Sequence, residues 1–131
     1  MGTMIGRLLF LSAALLAVPT GAPHAQQTSQ RQQYVYVLHL TPRMQDRSAW
    51  TAAEGEVVGQ HFERLAKATK GGQVILAGRT TESLDKTFGL VIFEAESDEA
   101  ARLFMTSDPA VVADIMTATL HPYSIALLRR P

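Results

Sequence analysis

Two hydrophobic rhythms alternate along this chain, and the switches between them outline a βαββαβ order. Tyr34 to Leu40 (YVYVLHL) is nearly all apolar and rich in aromatic and β-branched residues, which predicts a strand covered on both faces. Thr41 to Ser48 (TPRMQDRS) is polar, is opened by Pro42, and reads as a connection. The period then lengthens to that of a helix. Val57, Val58, His61, Phe62, Leu65 and Ala68 fall on one stripe, while Glu56, Glu63, Arg64, Lys67 and Lys70 lie mostly off it. Thr51 with Glu54 three residues later predicts a capping box, each side chain satisfying the other's free backbone N–H. Gly71-Gly72 stops the helix. Val74 to Ala77 (VILA) is the expected second strand, with Gly78 beginning the exit into a polar loop, Arg79 to Lys86. Phe88 to Glu94 (FGLVIFE) is the third strand, again apolar on both faces except at its end.

The closing segment repeats the scheme. Ser97 before Asp98-Glu99 predicts an N-cap followed by acids in the first turn, where the helix dipole favours them. That helix is expected over Asp98 to Met105. Asp108-Pro109 restarts a helical turn through Met116, and Thr119 to Leu128 is the expected last strand. Pro122 cannot donate a ladder hydrogen bond, which assigns that strand to a sheet edge. The order is ferredoxin-like, an α+β fold with a four-stranded antiparallel sheet and helices on one face. In that topology the first and third strands are central, and these are the two that read apolar on both faces. The uncovered face is therefore expected to pack on a second copy of the chain, making a homodimer.

The N-terminal quarter has a different pattern. Met1 to Arg7 carries one positive charge, Leu8 to Val18 is unbroken apolar sequence, and Pro19 to Ala25 (PTGAPHA) ends in small residues. This is the layout of a secretory signal peptide over residues 1–25, with cleavage expected after Ala22 or Ala25. The apolar run falls short of the roughly 20 residues that a membrane-spanning helix needs. A periplasmic or secreted location follows, without a stable membrane anchor after cleavage. Gln26 to Gln33 (QQTSQRQQ) reads as a flexible linker, and residues 34–131 as the domain. Losing the leader takes Arg7, which leaves 11 basic against 12 acidic residues. A domain this close to neutral makes no electrostatic case for nucleic acid. The chain has no cysteine, so its stability rests on its core or on an oligomer rather than on disulfides.

Candidate chemistry centres on His61. Set among Val57, Val58, Phe62 and Leu65, its imidazole fits either a general base beside a cavity or a core histidine satisfied by its neighbours. Asp108 before Pro109 is a good helix N-cap, and becomes a catalytic partner if the fold brings it to His61. Arg79 is a candidate for binding a substrate carboxylate, or a solvated loop cation. His39, late in the first strand, and His121, early in the last, are candidates to face each other across the ladder, and with His61 to approach a three-histidine set. Nothing in their spacing requires a metal, and no cofactor is expected. Phosphate loops, HExxH, GxSxG and cysteine-based sites are missing from the sequence.

These pieces together resemble the YCII-related (YciI-like) family of the dimeric α/β-barrel group. They are the apolar first strand, His61 in HFERL, VILAGR after the Gly-Gly stop, the SDEA helix start, and Ser107 to Pro109 before the last strand. The resemblance covers roughly Tyr34 to Leu128 and implies a His–Asp pair that falls on His61 and Asp108. The chain departs from the family's usual residues at Arg79, at Ala110 and at Val58. Some members dehalogenate or rearrange small cyclic compounds without a cofactor. The resemblance thus implies a lyase, isomerase or dehalogenase-type enzyme acting on a small cyclic or carboxylate-bearing compound. A non-catalytic small-molecule-binding dimer and a purely structural dimer are the other readings.

Overall fold

The computed structural model describes Gly2 and residues 31–129, so the expected signal peptide and most of the expected linker lie outside the described residues. Four strands form one antiparallel sheet: β1 (Gln32–Leu40), β2 (Val74–Arg79), β3 (Phe88–Ala95) and β4 (Met116–Pro122). Their spatial order is β2-β3-β1-β4, the ferredoxin-like arrangement with the two most apolar strands central. The long helix α2 (Ala52–Lys70) follows a short helix α1 (Pro42–Gln45) and a 3₁₀ turn at Arg47–Ala49. Helices α3 (Asp98–Thr106) and α4 (Pro109–Val112) precede β4.

Burial follows the strand period of two. Tyr34, Tyr36 and Leu38 of β1 join Val91, Phe93 and Ala95 of β3 beneath Leu65 of α2 and Ala101 and Met105 of α3. A second cluster, Leu40, Met44 and Ile115, seals the end of the sheet where the chain enters α2. The opposite sheet face carries Val35, Val37, Leu90 and Ile92, which lie directly across the β1–β3 ladder from one another. Each of these clusters draws on residues far apart in sequence, so its apolar area leaves water only when the whole domain closes.

The local signals locate the helix ends well. Thr51 and Glu54 form the expected capping box: the Thr51 backbone N–H donates to Glu54 Oε2 at 3.0 Å and the Ala53 N–H donates to Thr51 Oγ1 at 3.2 Å. The Thr51 hydroxyl also hydrogen-bonds the Glu54 carboxylate, and Arg43 pairs with it at 3.1 Å. These contacts hold the Glu54 carboxyl down to about 2, the Thr51 hydroxyl contributing most and Arg43 next. At the other end Gly72 takes φ +80, a conformation that side chains resist. Ser97 caps α3 through the Ala100 N–H at 3.1 Å.

β3 and α3 each run one residue past the expected end, to Ala95 and Thr106, and four larger differences have a structural cause. β1 starts at Gln32 rather than Tyr34, because Gln32 and Gln33 find ladder partners in Ala95 and Glu94. β2 does not exit at Gly78 but continues to Arg79, paired with Gly89. The turn after Asp108 closes at Val112 instead of Met116. Asp114 takes φ 55, and the Ile115 N–H folds back to Ala110 O at 3.0 Å, which drops Ile115 into the second core. β4 therefore spans Met116–Pro122 and not Thr119–Leu128. It is an edge strand, as Pro122 required. Beyond Pro122 the Tyr123 N–H still donates to Gln33 O at 2.9 Å, but the chain then leaves the ladder, and Leu127 is 94 % exposed.

The Phe62 side chain also departs from the expected stripe, standing 71 % exposed where a buried position was predicted. Helix α2 leans on the sheet through Leu65, and Phe62 rises at the rim of the open space beside it.

Because the box satisfies free N–H groups at the start of α2, Thr51→Ala is expected to lower stability by about 1 kcal/mol at pH 7. Glu54 has a depressed carboxyl, so its contribution is present above about 4.5 and lost as pH falls toward about 2. Urea unfolding of both chains at pH 7 and pH 3 measures both effects: the gap between wild type and variant narrows at the lower pH.

Candidate functional site

Asp108 is the N-cap of α4, and its Oδ1 accepts from the Ala110 N–H at 3.0 Å. A cap needs no more than that, yet this carboxylate has no solvent exposure. A buried carboxylate must be matched by donors or it protonates. Two further elements of the fold supply them. From β1, the Tyr36 hydroxyl donates to Oδ2 at 2.9 Å. From α2, His61 Nδ1 lies 2.7 Å from Oδ1 and 2.8 Å from Oδ2. Arg64, one turn on, brings its Nη1 to 3.8 Å from Oδ2. Thus two local signals in the sequence, a cap and a helical histidine, become a single cluster once α2 packs across the α3–α4 junction.

The electrostatics of the cluster are settled by these donors. Burial pushes the Asp108 carboxyl up, but the hydrogen bond and charge of His61, the Ala110 N–H and the Tyr36 hydroxyl outweigh it and hold the group below its ordinary value. Burial and the neighbouring Asp108 charge drive the Tyr36 phenol strongly upward, so it remains a proton donor to the carboxylate. Facing an ionised carboxylate, His61 Nδ1 carries the hydrogen and donates it. Its Nε2 is then the basic nitrogen. That atom has no hydrogen-bond partner among the described residues, and it is not among the buried polar atoms left unsatisfied. The imidazole is 13 % exposed and lines a cleft of about 1100 Å³ between α2, the sheet and the 80–87 loop.

A β-bulge decides what else enters that cleft. Val74 pairs with Phe93 and Leu76 with Ile92, which leaves Ile75 as the extra residue. Simple alternation from Val74 would send Arg79 to the far face. The bulge shifts the count by one and places Ala77 and Arg79 opposite Val91 and Gly89, on the helix side. Arg79 accordingly lines the cleft with His61. Gly89 keeps the floor low: a Cβ there would stand 3.4 Å from the Leu38 Cβ.

His61 and Asp108 are thus brought into direct contact, and Arg79 on β2 lines the same cleft as His61 on α2. His39 and His121 are not brought together. His39 pairs with Thr117 and His121 with Val35, four positions apart on the sheet face that α2 does not cover. Neither shares a face with His61, and the expected approach of the three is corrected. The sequence reading missed Tyr36, Arg64, Arg47 and Trp50. Tyr36 looked like one more apolar strand residue and Arg64 like a solvated charge. Arg47 sits in the segment read as a plain connection and Trp50 two residues after its end, yet both line the cleft. A tryptophan after a polar run, immediately before a helix cap, was the available signal.

Asp108→Asn keeps the shape of the cap but removes the charge that three groups converge on. It is expected to lower stability by about 2–4 kcal/mol at pH 7. The carboxyl is depressed, so the wild-type advantage is present above its unfolded value near 3.8 and is lost as pH falls below it. Denaturation across pH 7 to 3 checks the trend. Imidazole ¹⁵N shifts are expected to show His61 losing its Nδ1–H form in the variant.

Comparison with curated proteins finds no match for this chain. The family profile of the YCII-related domain matches residues 34–120, a span that contains β1, α2, the cleft-lining loop and both His61 and Asp108. The chain belongs to the YCII-related family.

Proposed function

We propose that this protein is an exported, cofactor-independent enzyme of lyase, isomerase or dehalogenase type, with His61 as the group that moves a proton. The observation that carries the reading is the oriented imidazole, with Nδ1 held by a buried carboxylate and Nε2 turned to a cleft large enough for a small organic molecule. In such a reaction Nε2 takes a proton from an acidic C–H of the ligand, and Asp108 stabilises the imidazolium that forms. The electron pair left on carbon either expels a leaving group from the neighbouring carbon or is reprotonated by His61 at another position. Asp108 serves as orienter and charge partner; with its donors in place it stays ionised throughout.

Arg79 suits a carboxylate on the substrate, since a guanidinium binds it through two parallel hydrogen bonds. Neither Arg79 nor Arg47 has a carboxylate partner among the described residues, and both line the cleft, against one acid, Glu82. Leu38, Leu65 and Val91 make the interior apolar, which suits a small cyclic skeleton. We further propose a homodimer through the open sheet face. Val35, Val37, Leu90 and Ile92 form an apolar centre there, and Leu76 extends it, 49 % exposed. Export rests on the residue 1–25 leader pattern.

A panel of small cyclic and acyclic carboxylates, each beside its amide, is to be followed by ¹H NMR in D₂O for exchange, elimination or rearrangement. His61→Gln is expected to slow any turnover at least about 100-fold. Arg79→Gln is expected to raise KM for the acid and leave the amide unaffected. Fluorescence of Trp50, the one tryptophan and a cleft residue, reports binding separately from turnover. Binding of acids with no chemistry on any of them would replace the enzyme with a small-molecule-binding dimer.

A further inference from the structure

Arg64 lies on α2 three residues after His61, and its contacts are divided between the two ends of its guanidinium. Nη2 donates to Phe104 O at 2.7 Å and to Ser107 Oγ at 3.0 Å, and the planar group sits 4.2 Å above the Phe104 ring. Phe104 is itself backed by Phe93, with ring centroids 4.7 Å apart, and Phe93 by Tyr36 at 5.6 Å. The side chain is thereby held in one place by a stacked aromatic base and a two-acceptor clamp. Nη1 is the contrasting end. It is buried, and it is the one buried side-chain nitrogen or oxygen without a hydrogen-bond partner among the described residues. Its nearest countercharge is Asp108 Oδ2 at 3.8 Å, within ion-pair range but too long for a hydrogen bond.

Burying an N–H without a partner costs stability, and the clamp at Nη2 alone would fasten α2 to the end of α3. A strut would have no reason to carry the extra charge inward. The arrangement makes sense if the charge itself is useful at Asp108. We propose that Arg64 is a positioning residue of the His61–Asp108 pair, its guanidinium seated on Phe104 so that a permanent positive charge keeps the carboxylate ionised and turned toward His61 Nδ1. The inference rests on the proton-transfer reading of that pair and adds to it a third member. Around Asp108 the charged and titratable groups are His61 and Arg64 from α2 and Tyr36 from β1, with the Ala110 N–H from α4. Of these, Arg64 alone bears a charge that no accessible pH removes. When His61 takes a proton and later returns it, the carboxylate is never without a counter-ion. The Arg64 charge also opposes the imidazolium across the shared carboxylate, which favours release of the proton to product.

A double-mutant cycle at pH 7 separates this role from a strut. Urea unfolding is measured for wild type, Arg64→Gln, Asp108→Asn and the double variant, with Arg64→Lys in both backgrounds. Arg64→Gln is expected to lower the folding constant roughly tenfold more when Asp108 is present than when it is Asn. Arg64→Lys is expected to recover most of that loss in the Asp108 background alone. Equal losses in the two backgrounds would make Arg64 a strut and overturn the inference. Should Asp108→Asn not fold, the ¹³C carboxyl signal of Asp108 is followed from pH 7 downward in the Arg64→Gln and Arg64→Lys chains. Protonation at higher pH in the Gln chain supports the role, and coincident curves overturn it. Neither readout depends on turnover, so a failed substrate search and a failed coupling are told apart.

Discussion

A carboxylate with no access to water governs this structure. Moving such a group out of solvent costs several kcal/mol unless the fold supplies donors in its place. Asp108 obtains them from its own helix turn, from the central strand and from the long helix, through the Ala110 N–H, the Tyr36 hydroxyl and His61. Each donor fixes a different packing relation. Tyr36 ties the α3–α4 junction to the sheet, and His61 sets the rotation of α2 about its axis. The site is therefore part of what holds the domain in its final arrangement.

That dependence explains the chemistry available to the imidazole. A histidine among apolar neighbours is commonly a spectator, but this one is held by an acceptor at Nδ1 and left open at Nε2. In the proposed role, orientation of this kind removes the need for the imidazole to be organised during the reaction. The charge on Asp108 is similarly prepared in advance. Its donors offset its burial, so an imidazolium formed at His61 meets a carboxylate that is already ionised.

The cleft arises from an uneven fit between helix and sheet. Interiors normally close to the density of organic crystals. Here α2 reaches the sheet through Leu65, while Gly89 presents no side chain along the β2–β3 floor, and Phe62 turns outward at the rim. The space left over is lined by apolar side chains at its centre and by Arg47 and Arg79 among its polar groups. Stability lost by leaving that volume unfilled is the general cost of keeping an open cleft in a small domain.

Much of this was legible in the residue order. The βαββαβ pattern, the central placement of the two most apolar strands, the Thr51–Glu54 box, the Gly71-Gly72 stop and the Ser97 cap all rest on interactions within a few residues of one another, and local sequence determines those. His61 and Asp108 stood out for the same reason, one by its apolar setting and the other by its cap position. Tertiary structure decided the rest, because the deciding contacts join distant segments. The bulge at Ile75 exists only against β3, and it reversed the side on which Arg79 emerges. The ladder register separated His39 from His121. Tyr36 and Arg64, read as core and surface, acquired their roles when 72 residues of separation from Tyr36 to Asp108 collapsed to one hydrogen bond. Sequence by itself thus determined the elements and the candidate pair. Packing determined which groups share one buried charge, since a carboxylate without water must take its donors from wherever the fold brings them.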